Sequence, residues 1–207
     1  KDSNYSLTHA NIANVRHIPT CNILINFAAE SHVDNSITNC APFIESNVNG
    51  VHNLLELVRV TPKYKRPLFF HISTDEVYGA RQYEEKLIAK CISCLKDGEK
   101  IPVHGDGSYV RDWTYVKDNV DGIMSIIDKK IKNQCFNIAA NNYIQNIDVV
   151  RSIIKTFNKT DDEIQFVEDR WGQDVRYSVD TSKITKATGW KPKYFYGLNL
   201  DFINEKL

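Results

Sequence analysis

The segments "CNILINFAAESHVD", residues 21–34, and "PLFFHISTDE", residues 67–76, share one pattern: a short apolar run that opens directly into a polar cluster. Apolar runs this short, nearly continuous and bounded by polar residues are what strands buried on both faces of a parallel sheet require. Between them, "APFIESNVNGVHNLLELVRV" places Phe43, Ile44, Asn47, Val48, Val51, Leu54, Leu55 and Val58 on one helical stripe, and Pro42 suits a first turn. Thr61-Pro62 predicts its end. Strand, helix, strand is one right-handed crossover unit, so the expected class is α/β with a doubly wound parallel sheet. In such sheets ligands bind beyond the carboxyl ends of the strands, where "AAESHVD" and "STDE" fall.

Downstream the pattern is less regular. Apolar spacing predicts a helix from about Glu84 to Lys96, ended by Asp97-Gly98, with Cys91 and Cys94 on its buried side. Gly105 and Gly107 mark a turn. Asp118 is placed to cap a helix carrying Val120, Ile123, Met124, Ile127 and Ile131. "CFNIAA" (135–140) reads as a strand. Asn146 caps a helix with Val149, Val150, Ile153, Ile154 and Phe157, and Asp180 or Thr181 caps a short one ending at Gly189.

The 207 residues bear 26 Lys plus Arg against 26 Asp plus Glu, so nothing in the net charge favours a nucleic-acid or anionic-membrane partner. No apolar run reaches the ~20 residues of a membrane span. The first residues lack the basic-then-apolar pattern of a signal peptide. Five scattered cysteines and no metal spacing among six histidines point to no metal and to a reducing, cytoplasmic setting.

The chemistry concentrates at Asp75 and Glu76, adjacent carboxylates just past an expected strand. Two like charges ~5 Å apart at an effective dielectric of ~20 repel by about 3 kcal/mol. One of the pair then holds a proton as an acid while the other stays ionised as a base. A solvated, helix-capping turn is the competing reading of "TDE".

"FAAESHVDNSI" followed by "HISTDEVYG", then "EKLI", "PVHGDGSYVRDW", "FNIAANNYIQNIDVV", "DRWGQDVRY" and "GWKPK" in the same order, resembles the dTDP-glucose 4,6-dehydratases of the extended short-chain dehydrogenase/reductase family. The resemblance implies a Rossmann-type NAD-binding domain, here residues 1–80. It also implies a smaller α/β nucleotide-sugar-binding part, mainly residues 81–207, from which some strands and helices return to the first. By its match, Glu76 removes the C5 proton of a hexose already oxidised at C4 by NAD, Asp75 protonates the departing C6 hydroxyl, and Thr74 hydrogen-bonds the sugar hydroxyl where oxidation begins. The expected cofactor contacts are Asn11, Ile12, Ala28, Ala29, Glu30, Ser31 and Ser46, with Asn11 standing where the family has Asp. The expected substrate contacts are Ser31, Thr74, Lys86, Leu87, Arg111, Asn142, Arg170 and Asp174; the fork of Arg111 suits a diphosphate. A homodimer through the helix at 42–60 is also implied. The alternatives are a UDP-sugar dehydratase or epimerase, or a nucleotide-sugar-binding protein without activity.

Two family features have no counterpart. Neither a G-x-x-G-x-x-G turn nor a Tyr-x-x-x-Lys pair occurs in the sequence. "STDEVYG" and "QYEEKLI" abut, where family members place a strand, the tyrosine helix and another strand between them. The expectation is a full dehydratase from which this string omits segments.

Overall fold

The structure, a computed structural model, describes residues 6–31, 33–73, 77–78, 83–170 and 173–194. The chain divides into two compact units, Lys1–Thr74 and Asp75–Leu207.

In the first unit, β1 (Ile23–Asn26) pairs in parallel with β2 (Leu68–His71), Ile23 opposite Leu68 and Asn26 opposite His71. The chain between them is helical: α1 (Val33–Thr38), α2 (Ala41–Ile44) and α3 (Val51–Val60). A π-helical stretch, Glu45–Gly50, joins α2 to α3 with right-handed helical dihedrals at both junctions, so residues 41–60 form one continuous helix. Pro42 sits in its first turn and Thr61 leaves it in extended conformation, as the spacing predicts. Gly50 is required on this helix: a Cβ there would stand 2.6 Å from Cγ1 of Ile12. Asn53 fastens the same turn, donating from Nδ2 to the carbonyls of Ile12 and Val15 at 2.8 Å each.

One expectation fails in this unit. The strands are not buried on both faces: Ile23 is exposed, and Leu24, Ile25, Leu68, Phe69 and Phe70 are half-buried. Leu54 and Val58 bury their part of the helical stripe, but Ile44, Val48 and Leu55 stay exposed. Among the described residues β1 and β2 gain no further strand, which leaves much of their surface to solvent.

Among the described residues, the second unit contains three further strand pairs. β3 (Val77–Tyr78) runs parallel to β6 (Thr114–Tyr115), β4 (Ile101–His104) runs parallel to β8 (Ile164–Val167), and β5 (Val110–Asp112) is antiparallel to β7 (Tyr143–Gln145). The helices are α4 (Leu87–Asp97), α5 (Val116–Asp128), α6 (Asn146–Thr156) and α7 (Ser182–Thr188). α4 and α6 bring Ile88, Cys91, Ile92, Leu95, Val149, Val150, Ile153 and Ile154 into one core with Ile101, Val103 and Trp113. Each large side chain fully buried in this way is worth ~1.5–3 kcal/mol. Tyr78 is sealed beside it, its ring 6.1 Å from Trp113 and 5.5 Å from Tyr115. Burial, reinforced by the charge of Asp118, pushes its phenol well above the ordinary range. Gly98 ends α4 and Gly189 ends α7, both in the left-handed region that spares glycine the Cβ clash. Thr181 holds the cap position of α7 without a side-chain capping bond, and Asp180 before it accepts the backbone N–H of Ser182 at 2.8 Å.

Several details differ from the sequence expectations, among them that α5 ends at Asp128 and leaves Ile131 outside it. α4 begins at Leu87 rather than Glu84, because Lys86 is extended. Asp118 is the third residue of α5, not its cap; fully buried, it accepts the N–H groups of Lys193 at 2.8 Å and Tyr194 at 2.9 Å. Asn146 is the first residue of α6, following an extended Gln145. "CFNIAA" forms no strand: Ala140 donates its N–H to the Thr114 hydroxyl instead of to a neighbouring strand, and pairing resumes only at β7. Among the described residues, no helix is long and apolar enough to cross a membrane.

Candidate functional site

Thr74, Asp75 and Glu76 lie outside the described residues. Their position in the chain is three to five residues beyond the carboxyl end of β2, after His71.

On the first unit, the expected cofactor loop leaves the carboxyl end of β1. Asn26, buried at the strand's last position, turns the chain: its Oδ1 accepts the N–H of Ala28 at 3.1 Å, and its Nδ2 lies 3.1 Å from Nδ1 of His71. Ala28, Ala29, Glu30 and Ser31 follow, all exposed. Asn47 then clamps the loop in both directions, accepting the Glu30 N–H at 2.8 Å and donating to the Glu30 carbonyl at 2.9 Å. The neighbouring Ser46 is thereby tied to the loop. Asn11 uses its side chain to accept the Ala13 N–H within its own turn, and Ile12 packs on Gly50. An exposed loop of small side chains at a parallel strand's carboxyl end fits a dinucleotide, because the backbone can approach the ligand closely.

On the second unit, β5 gathers the expected nucleotide contacts. Arg111 is buried to 6% exposure, with its guanidinium 4.3 Å from the Tyr177 ring centre. Its Nη1 donates to the Val110 carbonyl at 2.9 Å, and among the described residues no carboxylate pairs with it. The segment after Asp174 runs alongside: Val110 donates to the Val175 carbonyl at 2.9 Å and Tyr177 donates to the Val110 carbonyl at 3.2 Å. Across the pair, Arg111 stands opposite Ile144, two residues from Asn142, whose buried Nδ2 has no hydrogen-bond partner among the described residues. A buried cation lacking a counter-charge and a buried donor lacking an acceptor are each costly, and one anionic ligand rich in acceptors relieves both.

Arg170 is exposed and donates its backbone N–H to Asp169 Oδ1 at 2.8 Å. Tyr109, two residues before Arg111, donates its hydroxyl to the same carboxylate, and that bond raises the phenol above its ordinary range. Arg170 and Asp174 are thus carried on a segment anchored to β5 at both ends. Lys86 precedes α4 and pairs with Glu85 at 3.6 Å, while Leu87 packs against the core. Among the described residues, no group of three His, Cys, Asp or Glu is placed to hold a metal ion.

Sequence reasoning passed over Asn26, Asn47, Asp112 and Thr114. The available signal was a polar residue closing an apolar run, as Asn26 closes "CNILIN", and hydroxyl and carboxylate side chains alternating along "RDWT".

The family model described as GDP-mannose 4,6 dehydratase matches residues 4–86 and 80–196, two pieces that meet where "STDEVYG" abuts "QYEEKLI". The low-salt glycan biosynthesis protein of Haloferax volcanii is 32% identical over 230 residues, covering 86% of this chain and 73% of that protein. A dTDP-glucose 4,6-dehydratase of Xanthomonas campestris is 31% identical over 240 residues, covering 84% and 68%. The crystal structure of dTDP-glucose 4,6-dehydratase from Bacillus anthracis in complex with NAD superposes with a TM-score of 0.76 at 29% identity, covering 89% of this chain and 72% of that one. Both sequence alignments exceed the 207 residues of the chain, so each relative carries residues with no counterpart here.

Proposed function

Because the chain belongs to the GDP-mannose 4,6 dehydratase family, we propose that it serves the NAD-dependent dehydration of a nucleotide-activated hexose, dTDP-glucose to dTDP-4-keto-6-deoxyglucose. The observation that carries this reading is the buried Arg111, without a carboxylate partner among the described residues, beside Nδ2 of Asn142, likewise without a partner among them, a pair suited to a nucleotide diphosphate. Ala28 to Ser31, with Ser46, would hold the dinucleotide against the end of β1, and Asn11 and Ile12 would flank its adenine. When bound, NAD supplies a hydride acceptor at the start of the reaction and a hydride donor at its end. Lys86, Leu87, Arg170 and Asp174 would complete the nucleotide's surroundings. Thr74 would hydrogen-bond the C4 hydroxyl; Ser31 would also reach the sugar.

The protein's own chemistry would be proton movement between neighbours. Once C4 is a ketone, the C5 proton is acidic. Glu76 takes it, the C6–O bond breaks, and Asp75 delivers the proton with which the hydroxyl leaves as water. The apolar residues left exposed on the 41–60 helix, Ile44, Val48 and Leu55, support a homodimer through that helix. The proposed setting is the cytoplasm.

A second reading has its own support. The family match breaks into two pieces at residues 80–86, and no Tyr-x-x-x-Lys pair occurs in the sequence. A chain that binds nucleotide sugars without turning them over fits that break. One experiment separates the two: incubation with dTDP-glucose and NAD⁺, reading the keto product by its absorbance in alkali, alongside calorimetric titration with thymidine diphosphate. Product formation supports the dehydratase. Binding without product selects the second reading, and neither binding nor product overturns both.

A further inference from the structure

We infer that Asp112, with Thr114, is a positioning residue that sets Asn142 against the nucleotide; the inference rests on the nucleotide site proposed above. Residues 112 and 114 alternate along the extended chain from β5 to β6 and present acceptors toward the loop that enters β7. That loop offers three successive backbone donors. Ala140 gives its N–H to Thr114 Oγ1 at 3.0 Å, Asn141 to Asp112 Oδ2 at 2.9 Å, and Asn142 to Asp112 Oδ1 at 3.1 Å. The Trp113 N–H between them donates back to the Asn142 carbonyl at 3.0 Å.

The arrangement costs the protein something. Asp112 is 7% exposed and Thr114 3% exposed, so a carboxylate is held out of water to serve two amides. Asn141 is held in the left-handed region at φ 56°, uncommon for a residue with a Cβ. Its side chain is occupied on both sides, donating to Thr181 Oγ1 at 2.9 Å and accepting from the Tyr143 hydroxyl at 3.1 Å. An ordinary β connection needs none of this. What it achieves is a fixed origin for one side chain, Asn142, whose Nδ2 has no partner among the described residues. Asp112 is also the chain neighbour of Arg111, so one residue sets the spacing between the buried cation and the free amide donor. A ligand that meets both then binds without first ordering the loop.

The test reads affinity for thymidine diphosphate by calorimetric titration, at a temperature where circular dichroism shows every variant folded. Asp112→Asn keeps one acceptor and turns an NH₂ toward a backbone N–H, and is expected to weaken binding roughly tenfold to a hundredfold. Thr114→Val removes a single acceptor at constant volume; it is expected to weaken binding several-fold and serves should Asp112→Asn not fold. The discriminating readout is a cycle with Asn142→Ala, which keeps the backbone N–H but removes the positioned amide. In that background Asp112→Asn or Thr114→Val should cost less than threefold more, because a positioned side chain can be lost only once. Full additivity means a merely structural role and overturns the inference, as does wild-type affinity in both single variants. A wild-type chain with no affinity for thymidine diphosphate overturns this inference and the nucleotide site together.

Discussion

The two units of this chain are stabilised in different ways. Of the 24 buried hydrophobic side chains among the described residues, the first unit supplies Leu54 and Val58, and the second supplies the remaining 22. The first unit leaves Ile37, Ile44, Val48 and Leu55 in solvent and fixes its loops with individual amides, Asn26, Asn47 and Asn53. The second encloses a core shared by α4 and α6, and its buried Asp112, Thr114 and Asp118 accept backbone N–H groups. A helix and two strands therefore carry the pattern of a crossover unit without the layers that would close it.

The sharpest way to break this comparison is to cut the same side chain in each unit. Ile153 is fully buried in the second unit. Ile153→Ala should cost about 2–5 kcal/mol, from the lost transfer energy and the cavity left between α4 and α6. Ile37, 72% exposed in the first unit, should tolerate Ala to within about 0.5 kcal/mol. Urea denaturation followed by circular dichroism measures both. Equal losses would mean that the first unit's exposed residues are covered in solution and that the contrast is false.

Next in size is Asp118. Asp118→Asn retains one acceptor for the N–H groups of Lys193 and Tyr194 and sets an NH₂ against the other. A loss of about 1–3 kcal/mol is expected. It should be accompanied by faster hydrogen exchange at those two amides and not at the first unit's. No change at either amide would remove Asp118 as the anchor of that segment.

The alkaline limb of stability separates the units by a thiol that, among the described residues, is buried in the second unit and not in the first. Burial pushes the Cys91 thiol up to about 12 from an ordinary 9.0. Above about pH 9 the unfolded chain releases this proton while the folded chain retains it. The unfolded state then binds fewer protons, and stability falls as pH rises. The contribution is whole below pH 9 and declines by up to about 1.4 kcal/mol per pH unit toward pH 12. Tyr78, raised by burial and by Asp118, acts in the same direction. Urea midpoints at pH 8, 9.5 and 11 trace the slope, which Cys91→Ala should reduce; an unchanged slope would assign the effect elsewhere.

What the sequence made legible follows the same division. Regular periodicity was readable in both units: the helix at residues 41–60, the helix at 87–97, and the parallel pairing of the two apolar runs all follow from side-chain spacing and from Gly or Pro at their ends. The extent of burial was not readable. An apolar run looks the same whether or not another layer covers it, so "ILIN" and "LFFH" promised an interior that the described residues do not provide. The candidate site was inferred from position, beyond the carboxyl ends of β1 and β2, and from motif, through Arg111 and Asn142. It was not readable as support. Asp118 looks like a cap by its place before an apolar stripe, yet its acceptors go to residues 75 and 76 positions away, and no local pattern encodes a bond of that span. "CFNIAA" has a strand's composition, but Thr114 takes the backbone donor of Ala140 at its end, and Asp112 takes those of Asn141 and Asn142 just beyond it.

The smallest expected effect probes the first unit's dependence on single amides. Asn47 accepts from the Glu30 N–H and donates to the Glu30 carbonyl, so one side chain ties the loop after β1 to the helix. Asn47→Asp keeps the acceptor and loses the donor, placing a carboxylate near a carbonyl that now lacks its partner. At this exposed position the loss should be about 1 kcal/mol or less. It should appear as faster exchange at the Glu30 amide, with the urea midpoint unmoved. If the loop were ordered by a hidden core instead, Asn47→Asp would leave that amide as protected as before. If it were ordered by the helix as a whole, the change would spread to the amides of Leu54 and Val58. Only an effect confined to residues 28–31 fits a unit in which local polar contacts do the work that packing does in the other.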